Sequence, residues 1–317
     1  MIKYVKHEFI DKNKWDKSIN SSVNAYIYAD SSLLDILTDN SWDALIKDDY
    51  EILMPLPYSK KFDFKYIHQP LFIQQLGIFW KNTASNSVLE EFIDAIPNEF
   101  KFISLNLNKF LLGKISNKLI SRKNDNFELE ISGNYKIIYE SYSSNLKRNL
   151  KKAEANNLNE IQYVKPEELI KMFRENKGKE IKKLKSKDYN RLQKLIYMLI
   201  HKGKAEVKGV IDEHNNIVAT ALFVSGNGRS IFLFSGNTKE GKKLGAMPYL
   251  IDNQIKKLQN QNYILDFEGS NDVNLARFYK SFGAKKFHYE SIEINRFKFP
   301  LKQIKRIYSN AKYDRLK

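Results

Sequence analysis

DFEGSNDVNLARFYKSFGA, residues 266–284, reads as the end of a buried strand, a capped turn and an amphipathic helix. Residues 263–267 form an apolar run of strand length that Gly269 ends, and Ser270, Asn271 and Asp272 then offer side-chain oxygens to the free amides of a following helix. Leu275, Phe278 and Phe282 fall three and four apart and so share one helical face, with Tyr279 set beside them. Gly283 suits the left-handed position just past a helix end, which limits the helix to about three turns.

Working outward, residues 160–165 read as a strand, and Pro166 opens a helix to Glu175 because a first helical turn tolerates proline. A second helix, 189–201, carries Leu192, Leu195, Ile196 and Leu199 on one side. Residues 205–212 and 217–225 form a hairpin, 230–235 a third strand, and a helix from Met247 leads to the strand at 263–267. Roughly 160 residues earlier the chain runs through a similar list, which reads as an internal duplication. There, 42–47 and 50–56 match the hairpin, 70–80 the third strand, 87–96 the next helix and 100–107 the strand after it. Residues 127–131 and 135–142 are expected strands between the halves. The expected domains are 1–140 and 141–297, followed by a basic helix at 298–317, with Leu301, Ile304, Ile307 and Tyr308 at helical intervals, that packs on the body. Two unrelated α+β domains are the competing organisation.

Composition bounds what such a chain does. Its 317 residues are 42% hydrophobic and 13% aromatic, enough for packed cores in about two domains. With no cysteine, disulfides, thiolate metal sites and a cysteine nucleophile are excluded, and a reducing, cytoplasmic setting fits. The five histidines are scattered without metal-binding spacing, so no metal is expected. No secretory leader or membrane span is read. The formal charge of +16 suits nucleic acid, anionic surfaces or phosphate-rich ligands, although an A/T-rich coding bias toward lysine explains it equally well.

The halves differ at one place. Between its third strand and the next helix the second half has Thr238-Lys239-Glu240-Gly241-Lys242-Lys243-Leu244-Gly245-Ala246, where the first half has Lys81-Asn82-Thr83-Ala84-Ser85-Asn86. A glycine-containing basic loop before a helix points backbone amides at the helix's positive end, the arrangement that holds a phosphate. Lys242, Lys243, Leu244, Gly245 and Ala246 are its candidate contacts; a solvated basic turn is the bland alternative. A further helix at 145–155 sets Lys147, Arg148, Lys151 and Lys152 opposite Leu146, Leu150 and Ala153. Gln74 and Gln75, on the third strand of the first half, are candidate substrate contacts.

The spacing of Tyr279, Phe282, Gly283 and Ala284 resembles the last motif of the GNAT acyltransferase fold, and Asp266-Phe267-Glu268-Gly269-Ser270 resembles the Fem-type and BioF2-like branch, in which two such folds share one chain. Asp272 stands where ordinary members have asparagine, and Lys242, two residues, Gly245, one residue, Met247 replaces the usual phosphate-loop pattern. The resemblance implies an α+β fold of two tandem GNAT-like domains, each a mostly antiparallel mixed sheet flanked by helices. It implies acyl-CoA, such as acetyl-CoA, held by the second copy, with the backbone of Phe234, Ser235 and Gly236 pairing with the pantetheine arm and an amine acceptor between the copies. The acceptor is a small molecule or a cell-envelope precursor. Glu268, at the open end of its strand, is the candidate base, against a surface carboxylate or helix-cap partner; Tyr279 would protonate the leaving thiolate, against a plain core aromatic. The basic helix carrying Lys147 and Arg148 has a counterpart in the same branch, which makes these two candidate substrate contacts. Two alternatives stand beside this reading: a Fem-type transferase that takes an amino acid from charged tRNA for a peptidoglycan precursor, and a non-catalytic binding protein on the same fold.

Overall fold

The computed structural model describes residues 1–61, 64–110, 115, 119–180, 184–269, 271–299 and 303. Its strands are β1 (Ile2–Val5), β2 (Trp42–Lys47), β3 (Ile52–Lys61), β4 (Phe64–His68), β5 (Phe79–Trp80), β6 (Phe100–Asn106), β7 (Ile120–Ile131), β8 (Asn159–Ile161), β9 (Ala205–Ile211), β10 (Ile217–Gly226), β11 (Arg229–Asn237), β12 (Tyr263–Asp266) and β13 (Lys285–Asn295). The helices are α1 (Lys12–Ser21), α2 (Ser31–Thr38), α3 (Val88–Asp94), α4 (Tyr135–Glu140), α5 (Ser144–Ala155), α6 (Pro166–Glu175), α7 (Ser186–His201), α8 (Lys239–Leu244), α9 (Ala246–Leu258) and α10 (Val273–Lys280).

The chain divides into two compact units, one of Met1–Asp125 with His288–Lys317 and one of Asn126–Phe287. The first has strand order β1-β2-β3-β4-β6-β13, antiparallel except between β4 and β6, with β5 paired to β3. The second has order β8-β9-β10-β11-β12-β7, antiparallel except between β11 and β12. The two orders repeat one pattern, three antiparallel neighbours, one parallel pair and a closing antiparallel strand, which is an α+β fold built twice. The closing strands are exchanged along the chain: β13 completes the first unit and β7 the second. This exchange is why the units meet the chain at Asp125 and Phe287 rather than at the limits of 140 and 297 read from the sequence.

In the second unit the core lies on the face covered by α4, α5, α9 and α10, with Phe127, Leu129, Leu146, Leu150, Phe232, Leu250, Ile255, Leu265, Phe267 and Phe282 all buried in it. Helices α6 and α7 bury Leu169, Phe173, Leu192, Leu195, Ile196 and Leu199, the stripe their spacing predicts. Each such side chain contributes roughly 1.5–3 kcal/mol on leaving water. The first unit has its own core around Leu45, Met54, Leu56, Ile67, Phe92, Phe100, Ile103 and Ile292.

Several expectations are corrected. The expected strand at 135–142 is instead helix α4 over Tyr135–Glu140 and a turn: Tyr135, Ile138 and Tyr139 fall at helical spacing, and Asn134 caps the start by accepting from the Ile137 N–H. The third strand of the first unit is β4, not residues 70–80, of which only Phe79–Trp80 is strand. Positive φ at Phe72 and Gly77 turns that segment, and Pro70 offers no N–H to a ladder. Leu275 is 44% exposed, so the buried face of α10 is carried by Tyr279 and, just beyond, Phe282. Ser270 and the tail residues 300–302 and 304–317 lie outside the described residues.

Candidate active site

Strand β11 pairs with β12 only through Arg229↔Ile264, Ser230↔Leu265 and Ile231↔Asp266, whereas its pairing with β10 runs on to Asn237. Past Asp266 the chain follows β7 instead: the Phe267 N–H donates to the Phe127 carbonyl at 3.0 Å, and the Phe127 N–H to the Glu268 carbonyl at 3.3 Å. The two parallel strands therefore part after Ile231, and β11 from Phe232 onward is laddered on one side among the described residues. The register shift between Leu222 and Phe223 leaves Leu233 as an extra residue in β11, a bulge that bends the strand where it separates. Such an edge accepts an extended ligand as an added strand.

Glu268 stands at the mouth of this opening with φ +59, a left-handed conformation unusual outside glycine. Its N–H donates to Asp266 Oδ1 at 2.9 Å. Tyr279, on α10, stacks on Phe267 at 4.9 Å between ring centroids and lies 6.0 Å from Phe127. Burial pushes the Tyr279 hydroxyl well above the usual tyrosine range, and the negative charges of Glu268 and Asp272 add to the push. The fold thus brings the two candidate proton-transfer residues into electrostatic contact. Asp272 caps α10, accepting from the N–H groups of Asn274 and Leu275.

The candidate donor contacts divide. Phe234 packs its ring 4.3 Å from that of Phe173, and a Cβ on Gly236 would stand 2.9 Å from Met172 Cγ, so both side-chain positions serve the seat of α6 on β11. Their backbone, with that of half-buried Ser235, lies in the segment that has parted from β12. The expected basic loop is instead helix α8: Thr238 caps it by accepting from the Gly241 N–H, Lys242 N–H bonds the Thr238 carbonyl, and Gly245 N–H bonds the Gly241 carbonyl. Those amides are engaged and turn away from the role expected of them. Gly245, φ +78, ends α8 and begins α9, whose first amides, Ala246 and Met247, have no side-chain cap. Leu244 is half-buried, and Lys242 and Lys243 are exposed on α8. Helix α5 runs close by, its Asn149 carbonyl lying 2.8 Å from where a Cβ on Gly245 would be.

On α5, Lys147 reaches the Glu140 carbonyl at 3.2 Å and lies over the Tyr139 ring, while exposed Arg148 bonds Asn145. Gln74 and Gln75 sit in the irregular segment of the first unit. Gln75 is fully buried, donates to Gln74 and accepts from the Lys109 N–H, so its amide braces that segment.

A buried polar group was not anticipated from the residue order. Glu128 on β7 and Asp266 on β12 are paired in register, Arg229 Nη1 lies 3.0 Å from Glu128 Oε1 and 3.3 Å from Asp266 Oδ2, and Asn126 Nδ2 donates to both carboxylates at 3.2 Å. All four are at most 5% exposed. Burial and the neighbouring Glu128 raise the Asp266 carboxyl to about 6, against the pull of Arg229. Little in the residue order marks them: Arg229 opens β11, Asp266 closes β12, and Glu128 is one of several charged residues in β7.

No protein-family model and no curated protein sequence matches the chain. Solved structures do. It is similar to the crystal structure of FemX, with a TM-score of 0.68 at 13% identity over 95% of this chain and 99% of that one. It is similar to L-PGS from Bacillus licheniformis, with a TM-score of 0.55 at 12% identity over 97% and 98% of the two chains. A third likeness is to the C-terminal domain of a putative lysylphosphatidylglycerol synthetase from Agrobacterium fabrum, with a TM-score of 0.53 at 9% identity over 93% and 95%. At these identities the likeness establishes the fold alone, the one shared with FemX and L-PGS. Among the described residues no helix is long and apolar enough to cross a membrane.

Proposed function

We propose that the chain is an N-acyltransferase that moves an acyl group from acyl-CoA to an amine. The observation that carries this is the parting of β11 from β12 beside Glu268 and Tyr279. The donor's amide-bearing arm lies along β11 at Phe234, Ser235 and Gly236, in the place β12 has vacated. The amine nitrogen attacks the thioester carbonyl carbon while Glu268 takes its proton. A β11 backbone N–H faces the oxyanion, a contribution commonly of about 3 kcal/mol. The C–S bond then breaks, and the thiolate takes the Tyr279 proton, which returns from Glu268 through solvent. The raised pKa of Tyr279 keeps the hydroxyl protonated but makes it a weaker acid, so the proton moves only as negative charge develops on the sulfur. At the far end of the arm, the uncapped start of α9 with Lys242 and Lys243 attracts the pyrophosphate.

One observation favours the Fem-type alternative. The amides of Gly241, Lys242 and Gly245 are spent inside α8, which leaves exposed lysines rather than a backbone cradle, a surface better suited to the spread phosphates of charged tRNA. Calorimetry with acetyl-CoA and with charged tRNA at two salt concentrations tests the choice. Acetyl-CoA binding that changes little with salt, with turnover lost in Glu268→Gln, supports the first reading. Affinity for tRNA alone, falling about 10³-fold or more between 50 and 200 mM salt, replaces it with the second.

A further inference from the structure

Glu268 has to hold a conformation that its residue type disfavours, and two hydrogen bonds of its own backbone hold it. Its carbonyl accepts from Phe127, which the neighbouring strand provides, and its N–H donates to Asp266 Oδ1 at 2.9 Å. That carboxylate is itself fixed: Oδ1 also accepts from Asn126 Nδ2 at 3.2 Å, Oδ2 lies 3.3 Å from Arg229 Nη1, and Glu128 faces it across the strand pair. The residue is completely buried, and two carboxylates share one guanidinium, so the group holds one negative charge more than it balances when both are ionised. Asn126 Oδ1, buried among them, has no hydrogen-bond partner among the described residues.

We infer that Asp266 is a positioning residue, whose carboxylate holds the backbone of Glu268 in its left-handed conformation and so sets the placement of the base at the opened strands. The inference rests on the reading of Glu268 as the base. An ionised carboxylate accepts an amide hydrogen bond more strongly than a neutral one, so the hold on Glu268 follows the charge on Asp266. The groups that set that charge are Glu128 and Asn126 on β7, Arg229 on β11 and the Glu268 amide itself. With the carboxyl raised to about 6, the hold is full at pH 8 and weakened at pH 5.

The test uses the full chain, labelled with ¹⁵N, and follows the Glu268 amide resonance from pH 5 to pH 8 in wild type, Asp266→Asn and Asp266→Leu. The expected result is a shift in wild type with a midpoint near 6 that is absent in Asp266→Asn, whose amide oxygen accepts without titrating. In turnover assays Asp266→Leu, which has no acceptor, lowers kcat by at least about ten-fold with donor KM unchanged. Asp266→Asn recovers most of that loss and flattens the acid limb of the pH profile. A wild-type Glu268 amide that stays still across this range overturns the inference, as does an Asp266→Leu variant with wild-type kcat and pH profile. Should the wild type turn over no donor at all, the reading of Glu268 as base fails, while the amide titration still decides what Asp266 does.

Discussion

Glu128 and Asp266 face each other directly across two antiparallel strands, and one guanidinium, Arg229, is shared between them. Like charges directly opposite on a sheet repel, and burial leaves no water to screen them. Arg229 is what makes the pair tolerable. Replacing it by methionine, of similar length and uncharged, leaves two carboxylates buried with only Asn126 to donate to both. The expected loss is about 3–5 kcal/mol at pH 8, read by urea unfolding. Adding Glu128→Gln to that variant removes one charge and recovers a large part of the loss. A cost below about 1 kcal/mol, or no recovery, would show that the cluster does not hold two charges.

The same cluster makes stability depend on pH in the direction opposite to that of an ordinary salt-bridged aspartate. Asp266 is raised to about 6 from the ordinary aspartate value of 3.8, so the folded state binds the proton more tightly than the unfolded state. Its stabilising contribution is complete below about pH 4 and is lost as pH rises through 6, a change of up to about 3 kcal/mol. Carboxylates held down by partners, such as half-buried Glu91 beside Lys47, act in the reverse sense. The measurement is therefore the difference in unfolding free energy between wild type and Asp266→Asn at pH 4.5 and 7.5. Wild type should lose ground relative to the variant on going to 7.5; an unchanged or reversed difference refutes the assignment.

Helix α8 carries a third prediction. Gly245 has φ +78, and a methyl group there would stand 2.8 Å from the Asn149 carbonyl oxygen of α5. Gly241 is hemmed in more tightly, by the Val218 carbonyl and Asn237 Oδ1. Gly245→Ala therefore combines left-handed strain with a clash against backbone, and a cost of about 1–3 kcal/mol is expected in thermal unfolding. If α8 and α9 instead met in a loose loop, the substitution would be close to neutral.

What was legible in the residue order follows a physical line. Helix α6 and strands β9 to β11 fall within about two residues of where apolar spacing and turn residues put them, because those signals are local. The hairpin of β2 and β3 forms as well, although β3 starts at Ile52 and runs on to Lys61, well past the expected end at Leu56, and Gly283 does take positive φ beyond α10. The exchange of β7 and β13 was not legible, since pairing partners far apart in sequence leave no mark on either strand. Helix α8 was legible in retrospect: Thr238, Gly241 and Gly245 form a cap, a tight contact and a left-handed stop, where a phosphate-binding loop was expected. Of the proposed site, Glu268 was expected from its place at the end of its strand and Tyr279 from the resemblance its motif carries. The cluster of Asp266, Glu128 and Arg229 was not, because its members lie on three strands far apart in sequence and meet only once the sheet is assembled.

Tyr279 gives the sharpest test of the chemistry. Its ring is packed against Phe267 and Phe127, contacts that phenylalanine would keep, so Tyr279→Phe should change stability by less than about 1 kcal/mol. A hydroxyl held well above the usual tyrosine range by burial and by the charge of Glu268 stays protonated and is available to the departing sulfur. Its removal should lower kcat with an alkyl thioester by about 100-fold, the lower end of what a positioned acid supplies, with little change in donor KM. An aryl thioester releases a thiolate weakly basic enough to leave without a proton, so the variant should lose far less with that donor. Equal losses with both donors would show that the hydroxyl does not protonate the leaving group, and would return Tyr279 to the core as packing alone.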